Sequence, residues 1–167
     1  MGRYRPPQPP SSKYITPEGH KRLEQELDFL WRKKRPEVTA ALSAAAAEGD
    51  RSENAEYIYR KKQLREIDSR VRHLRKRLEN MKVDGTVPDA TSRIFFGAWV
   101  TLETEAGDEV KYRIVGPDET DHETEYVSMD SPFGKALMGK RLDAEVEIET
   151  PRGKQLYIVI EIEYYLN

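Results

Sequence analysis

Two series of residues spaced by seven constrain this chain more than any other feature. Tyr57, Leu64, Val71 and Leu78 form one series, and Arg60, Ile67, Leu74 and Met81 form the other. Together they draw an a/d seam over about four heptads, with Arg60 as its one polar member. A strand cannot hold such a period on one face, because its side chains alternate every two residues. The segment is therefore read as a helix that buries a stripe against a second helix.

The second helix is found upstream. Thr16 reads as an N-cap with Pro17 at the first helical position. Leu23, Leu27 and Leu30 recur at helical spacing, and the alanine-rich run Ala40 to Ala47 carries the pattern to Glu48. Pro36 interrupts it, and predicts a bend, a local irregularity or a break into two helices. The connection at 49–53 is short, so the two helices are antiparallel neighbours. Ala44, Ala45 and Ala47 face this end in place of leucines and keep the hairpin slender. Each arm runs for about thirty residues, or about 45 Å at helical rise.

Beyond the hairpin the period changes to two. Asp84-Gly85-Thr86-Val87-Pro88-Asp89 breaks the helix. Phe95 to Thr104 and Glu109 to Val115 then read as strands joined through Glu105-Ala106-Gly107-Asp108. Tyr126 to Met129 is a third strand, Ser131 to Leu137 a turn into a short helix, and Ala144–Thr150 and Leu156–Tyr164 a closing hairpin. The fold expected is α+β. A flexible tail over 1–13 precedes an antiparallel coiled-coil hairpin over 14–83 with its tip at 49–53. A linker over 84–92 leads into a small antiparallel β-sheet domain with one short helix over 93–167.

A net charge of −2 conceals a division between the halves. Residues 13–82 carry 18 basic and 12 acidic residues, whereas residues 83–167 carry 8 basic and 18 acidic ones. Different partners are implied for a +6 hairpin and a −10 sheet domain, and extensive nucleic-acid binding by the latter is disfavoured. There is no cysteine, so disulfides and thiolate chemistry are excluded and a reducing cytoplasm is allowed. No run reaches the roughly 18 apolar residues of a membrane-crossing helix. Met1 to Pro10 has arginines and prolines but no apolar stretch, and does not read as a secretory leader. His20, His73 and His122 are isolated and suggest no ligand cluster.

Two carboxylates, Asp50 and Glu53, lie at the bend between the helices. As an N-cap with an acidic residue three places on, they imitate a capping box. As hard oxygen donors, they suit a cation such as Mg²⁺, which accepts one or two protein carboxylates and needs its other ligands from elsewhere. Both roles are compatible, since a capping carboxylate keeps free lone pairs. A few turns back, Arg32-Lys33-Lys34-Arg35 and Arg60, Lys61, Lys62 and Arg65 supply exposed basic charge. That charge is either a solvated helix face or a set of phosphate contacts.

The pattern resembles the bacterial GreA/GreB transcript cleavage factors. The resemblance rests on Phe29-Leu30-Trp31-Arg32 with Arg35-Pro36-Glu37-Val38, on Gly49 to Tyr57, and on Leu64-Arg65-Glu66-Ile67-Asp68. It continues through Phe95-Phe96-Gly97-Ala98-Trp99-Val100, Arg113-Ile114-Val115-Gly116 and Asp130-Ser131-Pro132. It covers about Ile15 to Tyr165, and the Asp-Arg-Ser-Glu-Asn tip is more GreB-like than GreA-like. The resemblance implies an FKBP-like C-terminal domain that docks on RNA polymerase through Asp130, Ser131 and Pro132. It implies a coiled coil entering the polymerase's secondary channel as a monomer. Asp50 and Glu53 match the family's catalytic acidic pair, which shares a second Mg²⁺ with the polymerase. Arg60, Lys61, Lys62 and Arg65 match its patch for the nascent RNA 3′ end. The expected function is stimulation of the polymerase's own cleavage of backtracked RNA, by a catalytic accessory that is not itself an enzyme and binds no cofactor alone. The alternative is a Gre-like regulator that occupies the channel without cleavage.

Overall fold

The helical period and the alternating period produce two compact units in a computed structural model that describes residues 6–50, 53–89 and 91–165. Glu18–Met81 forms one unit; the residues up to Pro17 together with those from Lys82 onward form the other.

In the first unit, α1 (Pro17–Phe29) passes through a π-helical turn (Leu30–Lys34) into α2 (Arg35–Ala47), and α3 (Ala55–Leu78) returns. Pro36 explains the turn. It cannot donate to the carbonyl four residues back, so continuing the α-helix would leave a lost bond and a clash. The chain instead takes in one extra residue: the Arg35 amide bonds to Leu30 O, five residues back, and Pro36 falls in the first turn of α2. The apolar spacing records the insertion. Leu23 and Leu30 are seven apart, Val38 and Ala45 are seven apart, but Leu30 and Val38 are eight apart. The extra residue keeps both halves on one face. Val38, Ile67 and Val71 form the buried seam, with Leu27, Leu30 and Leu64 packed on it. Polar links give the direction: Glu26 pairs with Arg70, Arg35 with Asp68, and Ala45 with Asn54. Numbers rise on one side and fall on the other, so the arms are antiparallel.

The second unit contains two sheets. β1 (Tyr14–Ile15) and β2 (Lys82–Val83) pair in parallel, joining the chain before the hairpin to the chain after it. The larger sheet runs β5 (Tyr126–Ser128), β4 (Glu109–Val115), β3 (Trp99–Thr104), β7 (Gly153–Glu163), β6 (Glu145–Thr150). It is antiparallel except at one edge, where β5 joins β4 in parallel rather than as the all-antiparallel reading expected. The chain between β4 and β5 is long enough to cross over, which a tight hairpin could not do. A bulge between Thr101 and Leu102 shifts the β3–β7 register. Ile94, Ala98, Val100, Leu102, Ile114, Leu137, Val146, Ile148, Tyr157 and Val159 form one core cluster, to which α4 (Pro132–Leu137) contributes Leu137.

The expected tail needs correction. Residues 1–5 lie outside the described residues, but Ser12 and Lys13 are fixed. The Ser12 amide donates to Asp130 Oδ2 at 2.8 Å and its hydroxyl to Asp130 Oδ1, while Lys13 O accepts from the Lys82 amide at 2.8 Å. Thr16 follows at the entrance of α1. Its amide donates to Glu119 at 3.0 Å, its hydroxyl also donates to that carboxylate, and the Gly116 amide adds a third bond at 2.9 Å. Glu119 is 3% exposed, and these donors make its burial tolerable. Gly116 is required here, since a Cβ would lie 2.1 Å from Tyr14 O.

Candidate functional site

The turn between the arms is built by local rules. α2 ends in alanines and Glu48 closes its last turn by donating to Ala45 O at 3.2 Å. Gly49 follows with φ of +152°, a conformation that side chains with a Cβ rarely adopt. Asp50 and Glu53 are both exposed, and the Glu53 amide reaches Asp50 O at 3.3 Å. Arg51 and Ser52, within the expected tip, lie outside the described residues.

The residue that caps α3 is Asn54, not Asp50. Its Oδ1 accepts from the Tyr57 amide at 3.1 Å, and its Nδ2 donates to Ala45 O at 2.7 Å, across the turn. The capping-box reading of Asp50 with Glu53 is thereby corrected. Both Asp and Asn are good caps, and the Asp-x-x-Glu spacing favoured the wrong one. The better signal was that an unbroken run of helix formers begins only at Ala55.

The four expected basic residues separate into two groups. Lys61, Lys62 and Arg65 are exposed and share one face of α3, being one, three and four residues apart. Arg60 is not part of that face. It sits on the seam side at 31% exposure, with Nε 2.8 Å from Glu56 Oε1 and a second bond to Gln63 at 3.1 Å. Lys61 also lies 5.8 Å from the ring centre of Tyr57, and Ile58 and Tyr59 beside it are exposed. Farther back, Trp31 has the Arg75 guanidinium 4.4 Å and that of Arg35 5.2 Å from its ring centre.

In the sheet unit, Asp130, Ser131 and Pro132 have local work. Asp130 holds Ser12; Ser131 caps α4, accepting from the Gly134 amide at 3.0 Å; and Pro132 occupies its first turn. Sequence reasoning missed Asn54, Glu119 and the Ser12–Asp130 link.

Residues 13–83 match the family described as "Transcription elongation factor, N-terminal", and residues 89–164 match "Transcription elongation factor, GreA/GreB, C-term". This chain belongs to the GreA/GreB family of transcription elongation factors. The transcription elongation factor GreB of Pseudomonas aeruginosa is 62% identical over 164 residues, covering 98% of each chain. That of Xanthomonas axonopodis pv. citri is 56% identical, again over 98% of each chain. That of Yersinia pestis is 54% identical over 92% of this chain and 90% of its own. Membership in the GreA/GreB family implies interaction with RNA polymerase. Among the described residues, no helix is long and apolar enough to cross a membrane.

Proposed function

We propose that this chain stimulates RNA polymerase's own endonucleolytic hydrolysis of backtracked nascent RNA and so rescues arrested complexes. The observation that carries the reading is the state of the turn: Asp50 and Glu53 are both exposed there, and capping falls to Asn54. The hairpin would deliver them through the secondary channel to the polymerase's catalytic centre.

Two exposed carboxylates fit Mg²⁺ as part of a site. The ion accepts one or two protein carboxylates and keeps several waters, and among the described residues no group of three His, Cys, Asp or Glu gathers to hold a metal. The polymerase's own ligands would complete the shell. When bound, the ion supplies charge stabilisation for the attacking or leaving oxygen. Asp50 and Glu53 also accept hydrogen bonds from the attacking water and orient it. That water adds to the phosphodiester phosphorus, the P–O3′ bond breaks, and the 3′ oxygen leaves with a proton.

Lys61, Lys62 and Arg65 would neutralise phosphates of the extruded RNA, contacts that hold a backbone without reading its sequence. Arg60 would contribute less, since Glu56 already offsets its charge. The 130–132 turn, braced by Ser12 and by the cap on α4, would present Pro132 to the polymerase at the rim of the channel.

The test is a halted elongation complex with Mg²⁺. Added wild-type chain shortens the RNA. Asp50→Asn or Glu53→Gln lowers the stimulated rate by about 10²–10³, while each variant still competes for polymerase. Wild-type cleavage by the double variant would sink the reading. Wild-type chain that binds without shortening RNA would point to a channel-occupying regulator instead.

A further inference from the structure

We infer that Asn54 is a positioning residue for the acidic pair, a role that rests on the function proposed above. Within the turn, the Glu53 amide reaches Asp50 O at 3.3 Å, a long bond. Ala45 O, in the last turn of α2, already accepts from the Glu48 amide at 3.2 Å, and the Tyr57 amide lies in the first turn of α3, where amides have no intrahelical acceptor. One carboxamide ties the two together, donating to the carbonyl at 2.7 Å and accepting from the amide at 3.1 Å. It closes the loop from 46 to 53 at its base, and Asp50 and Glu53 both lie inside that loop.

The side-chain chemistry is specific. A carboxamide on a short stem offers a donor and an acceptor in fixed directions. Serine keeps the cap but cannot also reach across to Ala45; alanine loses both. The helix pair does not depend on this link, since the seam at Val38, Ile67 and Val71 lies well behind it. Asn54 therefore acts on where the two carboxylates point, by tying the end of α2 to the start of α3 on either side of them.

The experiment uses the full chain with Asn54→Ser, which keeps the cap. At saturating factor on a halted elongation complex, the maximal cleavage rate falls about tenfold and the Mg²⁺ concentration for half-maximal cleavage rises several-fold, as for a group that orients metal ligands. The factor concentration for half-maximal cleavage does not change. In the free chain, Glu53 amide exchange accelerates about fivefold or more while that of Tyr57 stays protected. Wild-type rate and Mg²⁺ dependence in the variant overturn the inference, as does unchanged Glu53 exchange or a loss explained by weaker polymerase binding. Wild-type chain that fails to shorten RNA overturns the functional reading, and this inference with it. A wild type that cleaves beside an Asn54→Ser variant that cleaves equally overturns the inference alone.

Discussion

The hairpin and the sheet unit bury their apolar residues differently. In the hairpin, Leu27, Leu30, Val38, Leu64, Ile67 and Val71 follow one another along a single seam. In the sheet unit, buried side chains from several strands, from α4 and from the segment before β3 close into one cluster. A file of residues has one degree of freedom, its register, so one residue too many must be absorbed by the backbone. A cluster is fixed in all directions and is sensitive to volume instead. Polar groups follow the same division. Hairpin ion pairs such as Arg70–Glu26 and Arg32–Asp28 are exposed, where a pair contributes about 0–1 kcal/mol. The sheet unit buries Glu119 and surrounds it with donors. Each unit also carries one tryptophan, Trp31 or Trp99, so the two can be followed separately.

The largest expected effect breaks the register of the file. Deleting Lys33 removes the extra residue and forces Pro36 into continuous α-helix, at a cost of about 3 kcal/mol. Adding Pro36→Ala to the deletion recovers most of it, because the apolar spacing becomes a strict seven. Urea unfolding followed at Trp31 in a Trp99→Phe chain measures both. Equal stability of the two deletion variants would break the account of the π-helical turn.

Glu119→Gln should cost the sheet unit about 2 kcal/mol, since one acceptor oxygen and an amide then face donors that suited a carboxylate. The readout is Trp99 fluorescence in a Trp31→Phe chain. A midpoint unmoved at Trp99 would mean that the buried carboxylate does not hold the entrance to α1.

The smallest effect is a pH dependence at the exposed face of the sheet. Glu163 is lowered from 4.5 to about 2, first by its hydrogen bond with Glu161, then by Tyr165 and Lys111. Stability from Glu163 is therefore present above pH 4.5 and lost as pH falls towards 2. The same bond raises Glu161, whose contribution has the opposite sign and offsets part of it. These groups are solvent-exposed, so the net change is small. Between pH 4.5 and 2, the wild-type midpoint should fall more than that of Glu163→Gln. Parallel curves would remove Glu163 from the account.

Legibility followed locality. The heptads of α3 predicted its buried face, since Ile67, Val71 and Leu74 are its buried residues. Alternation located β3, β4, β6 and β7, although β3 begins at Trp99 rather than Phe95. Pro36 announced an irregularity, but its form depended on keeping α1 and α2 in register with α3. β1 and β2, two residues each, are too short to show any period. At the tip, the acidic pair was plain from composition, while Asp50 and Asn54 were both acceptable caps on propensity. The partner across the turn, Ala45 O, decided between them.

By itself the sequence determined the two helical arms, the alternating strands and the pair of carboxylates between the arms, because periodicity and helix-ending residues act over a few neighbouring positions. Only the tertiary structure decided which side chain closes the turn and what fixes the entrance to the hairpin. Ser12 meets Asp130 118 residues away, and Thr16 meets Glu119 103 residues away. A hydrogen bond across such a separation leaves no period in the chain, so it exists only once folding has brought its two ends together.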